Sequence, residues 1–295
     1  MKIMITGSHG QLGTELLSCL KTGESEIGAI PSALQNAAVA AADIDTLDIT
    51  DLSAVRDFVA TEKPDVIINC AAMTNVDGCE TQQDVAFRVN AIGVRNLAVA
   101  AEETGAKFIH VSTDYVFAGD GTRPYLEWDT IDPQSAYGAS KALGEQYAMS
   151  FCKRTFIVRT AWLYGYCGKN FVKTVRRVIR ERGGITVVND QRGNPTNAND
   201  LAHHLLKLAV TEEYGIYHCT GSGECSWYEF ADKIAEYSGF AGTVKPCTTA
   251  EYNSPTKRPA YSSLRNLGLE CTVGDEMRDW QVALKEYISK VEDEL

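Results

Sequence analysis

The residues of this chain best suited to carbonyl chemistry lie in two short runs, Ser112-Thr113-Asp114-Tyr115-Val116-Phe117 and Tyr137-Gly138-Ala139-Ser140-Lys141. A phenol can hand a proton to a carbonyl oxygen, but its ordinary pKa of about 10 makes it a slow carrier near neutrality. Lys141 stands four residues after Tyr137, on the same helical face. An ammonium there, with the positive nicotinamide of an oxidised cofactor, favours the phenolate and lowers that pKa. Thr113 can donate a hydrogen bond to a substrate oxygen or to the phenol. With 13 tyrosines in the chain, a Tyr-x-x-x-Lys spacing arises about once by chance. The weight comes from order along the chain: strand, glycine turn, helix, Ser-Thr at a strand end, then Tyr and Lys opening a helix.

The glycine turn is Thr6-Gly7-Ser8-His9-Gly10-Gln11-Leu12-Gly13, a G-x-x-G-x-x-G loop between an apolar strand and an amphipathic helix. Small residues let the backbone turn sharply and approach a pyrophosphate, which then sits at the positive helix N-terminus. Gly7, Gly10, Gln11, Leu12 and Gly13 are therefore cofactor candidates. Asp43 ends the second predicted strand, where an acid accepts hydrogen bonds from an adenosine ribose. No Lys or Arg lies between Asp43 and Ser53 to bind a ribose phosphate, which favours NADH over NADPH. Asp45 and Asp48 compete with Asp43 for the ribose. Asp48 and Ile49 could flank the adenine, and Ala72, Met73 and Thr74 follow the third strand at the carboxyl edge of the sheet.

Stepping along the elements, apolar strands are read at Lys2–Thr6, 39–43, 66–68, 107–111 and 155–159, alternating with helices at 11–21, from Thr50 or Asp51 to 62, at 84–104 and at 136–151. Such alternation predicts an α/β fold, a Rossmann-type doubly wound parallel sheet covered by helices on both faces. The dinucleotide-binding domain is expected over 1–160, with later segments around 185–220 returning to it. Residues 161–295 are expected to form mainly a smaller substrate-binding α/β region. Within that region the Pro-bearing stretch from Thr243 to Ser263 reads as extended rather than helical.

The chain has 295 residues, 44% hydrophobic and 23% charged, an ordinary globular composition. Its net charge of −11 argues against a nucleic-acid or anionic-membrane surface. Nine cysteines without a C-x-x-C pair read as free thiols in a reducing compartment rather than as a metal cluster. Neither a signal-peptide core nor a membrane-length apolar run is apparent, so a cytoplasmic protein is expected.

The glycine loop, Asn69-Cys70-Ala71-Ala72, Asn90 and the Tyr137/Lys141 pair resemble an extended short-chain dehydrogenase/reductase. The resemblance narrows with Gly10 to Gly13, Ala72 to Asp77, Ser112 to Phe117, Tyr137 to Glu145, Arg159 to Gly165, Asp190 to Thr196, Trp227-Tyr228 and Arg258-Pro259. Together these are similar to the dTDP-4-dehydrorhamnose reductases, along nearly the whole chain. The resemblance implies NADH or NADPH as reductant and a dTDP-sugar as substrate. It implies Tyr137 as proton donor, Lys141 as its pKa modulator and ribose ligand, and Thr113 as the third catalytic residue. Asp114 would contact the sugar, Trp162 would pack on the nucleotide-sugar, and Arg258 would bind the diphosphate. Some members dimerise through Mg²⁺ held by carboxylates on the first helix and near the Pro-Thr motif. Here Glu15 is present but Asn199 takes the second place, so no metal ligand is assigned, Mg²⁺ is left open, and a monomer or weak homodimer is expected. The competing readings are another nucleotide-sugar 4-ketoreductase, epimerase or dehydratase, or a non-catalytic cofactor-holding regulatory subunit. A dehydratase of this kind carries Glu after Thr-Asp, where this chain has Tyr115.

Overall fold

In a computed structural model, residues 1–252 and 256–291 are described, and six strands form one parallel sheet. They are β1 (Lys2–Thr6), β2 (Ala38–Ala42), β3 (Val66–Asn69), β4 (Lys107–Thr113), β5 (Thr155–Thr160) and β6 (Gly215–His218). The spatial order is β6-β5-β4-β3-β1-β2, every pairing parallel. The chain leaves β1 toward β2 on one side and returns as β3 on the other. That reversal opens a crevice at the carboxyl ends of β1 and β3, where open sheets of this kind bind ligands.

Alternation along the strands feeds two cores. Ile3, Ile5, Val66, Ile68, Ile109, Phe156 and Val158 face α1 (Gln11–Thr22) and α6 (Ala198–Ala209). Met4, Ile67, Phe108 and Ile157 face α2 (Leu52–Glu62) and α3 (Val94–Thr104). Both sides are apolar because crossover helices cover both faces of a parallel sheet. The α2 cap is Asp51, whose side chain accepts from the backbone N–H of Ser53 and Ala54.

The expected long helix over 84–104 is broken. A short helix at Gln83–Phe87 runs into one π turn at Arg88–Gly93 before α3. The turn carries the buried Asn90 side chain, which serves the site below. α4 (Ala136–Phe151) presents Tyr137 and Lys141.

The second lobe is built on α5 (Phe171–Arg182), α7 (Trp227–Tyr237) and α8 (Trp280–Lys290), packed with Tyr164, Phe230 and Tyr287. Of the segments expected to return to the main sheet, β6 does so, whereas Gly184–Val188 pairs with Thr243–Cys247 in a separate two-stranded sheet. The stretch from Thr243 is thus extended at its start but contains a short helix at Thr249–Tyr252, and Pro255 lies outside the described residues. Among the described residues no helix is long and apolar enough to cross a membrane.

Candidate active site

A cavity of about 540 Å³ occupies the crevice, walled by Gly7, Gly10, Asp43, Asp48, Ile49, Ala72 and Met73 among others. Gly7 has φ +66°, and a Cβ there would stand 2.7 Å from the Ala71 nitrogen, so only glycine lets β1 and β3 approach at this depth. A Cβ on Gly13 would lie 2.3 Å from the Gly7 carbonyl oxygen, which keeps α1 against the loop. Gly10 caps α1 without a side-chain acceptor, so the first-turn N–H groups are offered to an anion. This cradle fits a dinucleotide.

The remaining cofactor candidates divide. Asp43 lines the cavity, and its two carboxylate oxygens accept from the backbone N–H of His9 and of Ile44, each at 2.8 Å. Asp48 accepts from the N–H and hydroxyl of Thr50. Leu12 is core, Thr74 is exposed, and the walls include neither. Gln11 turns away: its Oε1 accepts from the Gly165 N–H at 2.9 Å and from Asn170 Nδ2 at 3.0 Å, joining α1 to the second lobe.

The candidate catalytic group lies beside β4 and α4. Ser135 caps α4 by accepting from the Gly138 N–H, and Glu80 accepts from the Ala136 N–H at 2.8 Å. A Cβ on Gly138 would sit 2.2 Å from the Tyr115 carbonyl oxygen, so the helix start presses on the turn at Asp114–Val116. Tyr137 meets Tyr115 edge to face, ring centroids 5.5 Å apart. Burial pushes the Tyr137 phenol well above its ordinary pKa, the Thr113 hydroxyl opposing this, so in the free protein the phenol holds its proton. Burial, not the Lys141 ammonium, dominates the proton affinity of the phenol in the free protein. Lys141 is itself buried and lowered to about 8, and its Nζ donates to the Val111 carbonyl at 2.6 Å.

Thr113 gives its hydroxyl proton to Asp114 Oδ1 at 2.9 Å and also lies close enough to the phenol to favour its phenolate. Asp114 Oδ2 is buried and makes no well-formed hydrogen bond among the described residues; burial raises this carboxyl to about 6 against the nearby Ser262 and Thr113 hydroxyls, which lower it. An orphaned buried carboxylate oxygen is costly unless a ligand satisfies it. Arg258 pairs with Asp77 at 3.3 Å and lines, with Tyr115, Asp132 and Lys257, a second cavity of about 250 Å³. Trp162 has φ +48° and stacks on Trp227 at 3.6 Å and 9°.

Three residues given no role from the sequence hold this geometry. Asn90 Oδ1 accepts from the Met73 N–H at 2.8 Å, while its Nδ2 donates to the Met73 carbonyl and to Ser140 Oγ, so it pins the cavity wall to α4. Glu145 and Arg159 form a buried bidentate pair at 2.7 and 2.9 Å, with Ser112 donating to Glu145. At the position of the possible metal, Glu15 Oε2 accepts from Asn199 Nδ2 at 2.8 Å. An amide donor facing the carboxylate does not suit a divalent cation.

The family described as "RmlD substrate binding domain" matches residues 1–293. The chain belongs to this family. A crystal structure of a dTDP-4-dehydrorhamnose reductase from Clostridium acetobutylicum superposes with a TM-score of 0.92 at 47% identity, covering 98% of this chain and 99% of that one. One from Bacillus anthracis, in complex with NADP, superposes at 0.91 with 40% identity, covering 98% and 99%. The spore coat polysaccharide biosynthesis protein SpsK of Bacillus subtilis is 41% identical, over 98% of this chain and 97% of its own. The RmlD family thus accounts for the whole described fold, from the glycine loop to α8.

Proposed function

We propose that this RmlD-family chain reduces the C4 ketone of dTDP-4-dehydro-L-rhamnose, giving dTDP-L-rhamnose for polysaccharide biosynthesis. The observation that carries this reading is the Tyr137 phenol, kept protonated by burial beside Thr113 and Asp114, on the helix that Asn90 ties to the Met73 wall of the dinucleotide crevice. A reduced nicotinamide, when bound, supplies the hydride for C4. Tyr137 gives its proton to O4, so that C=O becomes CH–OH, and the phenolate left behind is stabilised by Lys141 from the same helical face. Asp114 Oδ2 receives a sugar hydroxyl, and Arg258, exchanging part of its pairing with Asp77, meets the diphosphate. Trp162 walls the sugar side from the second lobe, which is drawn mainly from the chain after residue 160, with β6 and α6 returning to the main sheet. Tyr115 stands where elimination of water would require an acid, which favours simple reduction.

NADH is the preferred reductant, with NADPH accepted, because Asp43 repels a ribose phosphate. The amide of Asn199 facing Glu15 supports a monomer or weak homodimer rather than a dimer bridged there by Mg²⁺. Incubation with dTDP-4-dehydro-L-rhamnose while NADH absorbance is followed tests the reading. Sugar-dependent loss of absorbance is expected. None, from folded protein with either reductant, leaves the chain a cofactor-holding regulatory subunit.

A further inference from the structure

Behind Lys141 runs a buried chain of polar groups that the reaction above does not use. Thr6 Oγ1 donates to Asn69 Oδ1 at 2.6 Å, Asn69 Nδ2 lies 3.0 Å from His110 Nδ1, and His110 Nε2 lies 3.4 Å from Lys141 Nζ. The direction of every bond is fixed from one end. The Ala71 N–H can only donate, and it reaches Asn69 Oδ1 at 3.2 Å, so that atom is the oxygen and Nδ2 faces the imidazole. Asn69 Nδ2 therefore donates to His110 Nδ1. A neutral imidazole accepting at Nδ1 carries its proton on Nε2, and a charged one would set an N–H against an N–H. His110 is fully buried and lowered well below the ordinary histidine pKa, by burial first and by Lys141 second, in keeping with a neutral ring.

We propose that His110, held by Asn69 as its Nε2–H tautomer, is a positioning residue that sets the proton affinity of Lys141. The proposal rests on Tyr137 and Lys141 being the catalytic pair. An Nε2–H facing Nζ can donate to the lone pair of a neutral amine but opposes an ammonium. The Val111 carbonyl serves either form. Other groups around Nζ are the Cys70 thiol after β3, pushed up to about 12 by burial and so uncharged, and Glu145 on α4 itself. Glu145 favours the ammonium but is already engaged by Arg159. Burial is the largest cause that lowers Lys141, to about 8; His110, 3.4 Å away, adds to it against Glu145, and Lys141 titrates inside the working range. The chain is a lock and not a proton wire, because the Asn69 amide cannot pass a proton along.

The test compares pH profiles of kcat/KM for sugar reduction by the wild-type protein, His110→Gln, Asn69→Asp and Lys141→Arg. The wild-type rate falls as the ammonium is lost above about pH 8. His110→Gln can turn an oxygen toward Nζ, and Asn69→Asp draws the imidazole proton to Nδ1, leaving Nε2 an acceptor. Both shift the limb upward by about one pH unit or more. Lys141→Arg, charged throughout, abolishes it. An unmoved limb in the first two variants, with its loss in the third, overturns the proposal and leaves the reductase reading intact. Absence of turnover by the wild-type protein sinks that reading instead. The ¹⁵N spectrum of histidine-labelled protein then still decides, needs no variant to fold, and gives Nε2–H for His110 if the proposal holds and Nδ1–H if it does not.

Discussion

At the residue scale the site is a competition between burial and charge. Tyr137 loses more from desolvation of its phenolate than the Thr113 hydroxyl returns, which leaves a proton donor in waiting. Tyr137→Phe removes that donor while keeping the ring, and kcat should fall by roughly 10²–10⁴ with NADH affinity nearly unchanged. Undiminished turnover would assign the proton to another group. Asp43 makes the second residue-scale case. Asp43→Ala deletes the carboxylate proposed to repel a ribose phosphate and to accept from ribose hydroxyls. KM for NADH should rise by the equivalent of about 1.5–3 kcal/mol, and the gap to NADPH should narrow. A wild-type protein tenfold better with NADPH contradicts the assignment of Asp43. That Tyr137 and Lys141 share one helix and that Gly7, Gly10 and Asp43 line the crevice was legible in the sequence, because local spacing alone sets those positions. His110 was not: it lies inside the apolar run of β4, and only the register of β3 against β4 sets it beside Asn69.

At the element scale the sheet was legible from its alternating apolar strands and crossover helices, with boundaries within a residue or two. What the pattern concealed was the π turn at Arg88–Gly93, because a helix that widens by one residue keeps nearly the same apolar face. It also concealed which sheet the strand at Gly184–Val188 joins, since a run of β-branched residues states a preference for a strand and no partner. The junction of α4 with the Asp114–Val116 turn is where elements meet to place the phenol. Gly138→Ala puts a methyl 2.2 Å from the Tyr115 carbonyl oxygen. The helix start must retreat, at a cost of about 1–3 kcal/mol in stability, and turnover should drop at least tenfold. Urea unfolding and steady-state rates would measure both, and unchanged values would mean that the turn yields without moving Tyr137.

At the scale of the whole molecule, the cofactor helix α1 is stitched to the second lobe by Gln11, which accepts from Gly165 and Asn170, and by Glu15, which is bonded to Asn199 and Tyr166. Arg278 adds ion pairs to Glu26, Asp200 and Glu286. Apart from the Arg278–Glu286 pair, these contacts span long sequence separations, so no local pattern announced them. The same lobe carries Trp162 on Trp227, two parallel indoles at 3.6 Å. Chromophores so close no longer absorb independently. Their excited states mix, and the handedness of the stack is written into the circular dichroism of the indole bands. With Trp128 on the surface and Trp280 in the core, the Trp162–Trp227 pair carries an intrinsic optical signature that vanishes whenever the stack parts.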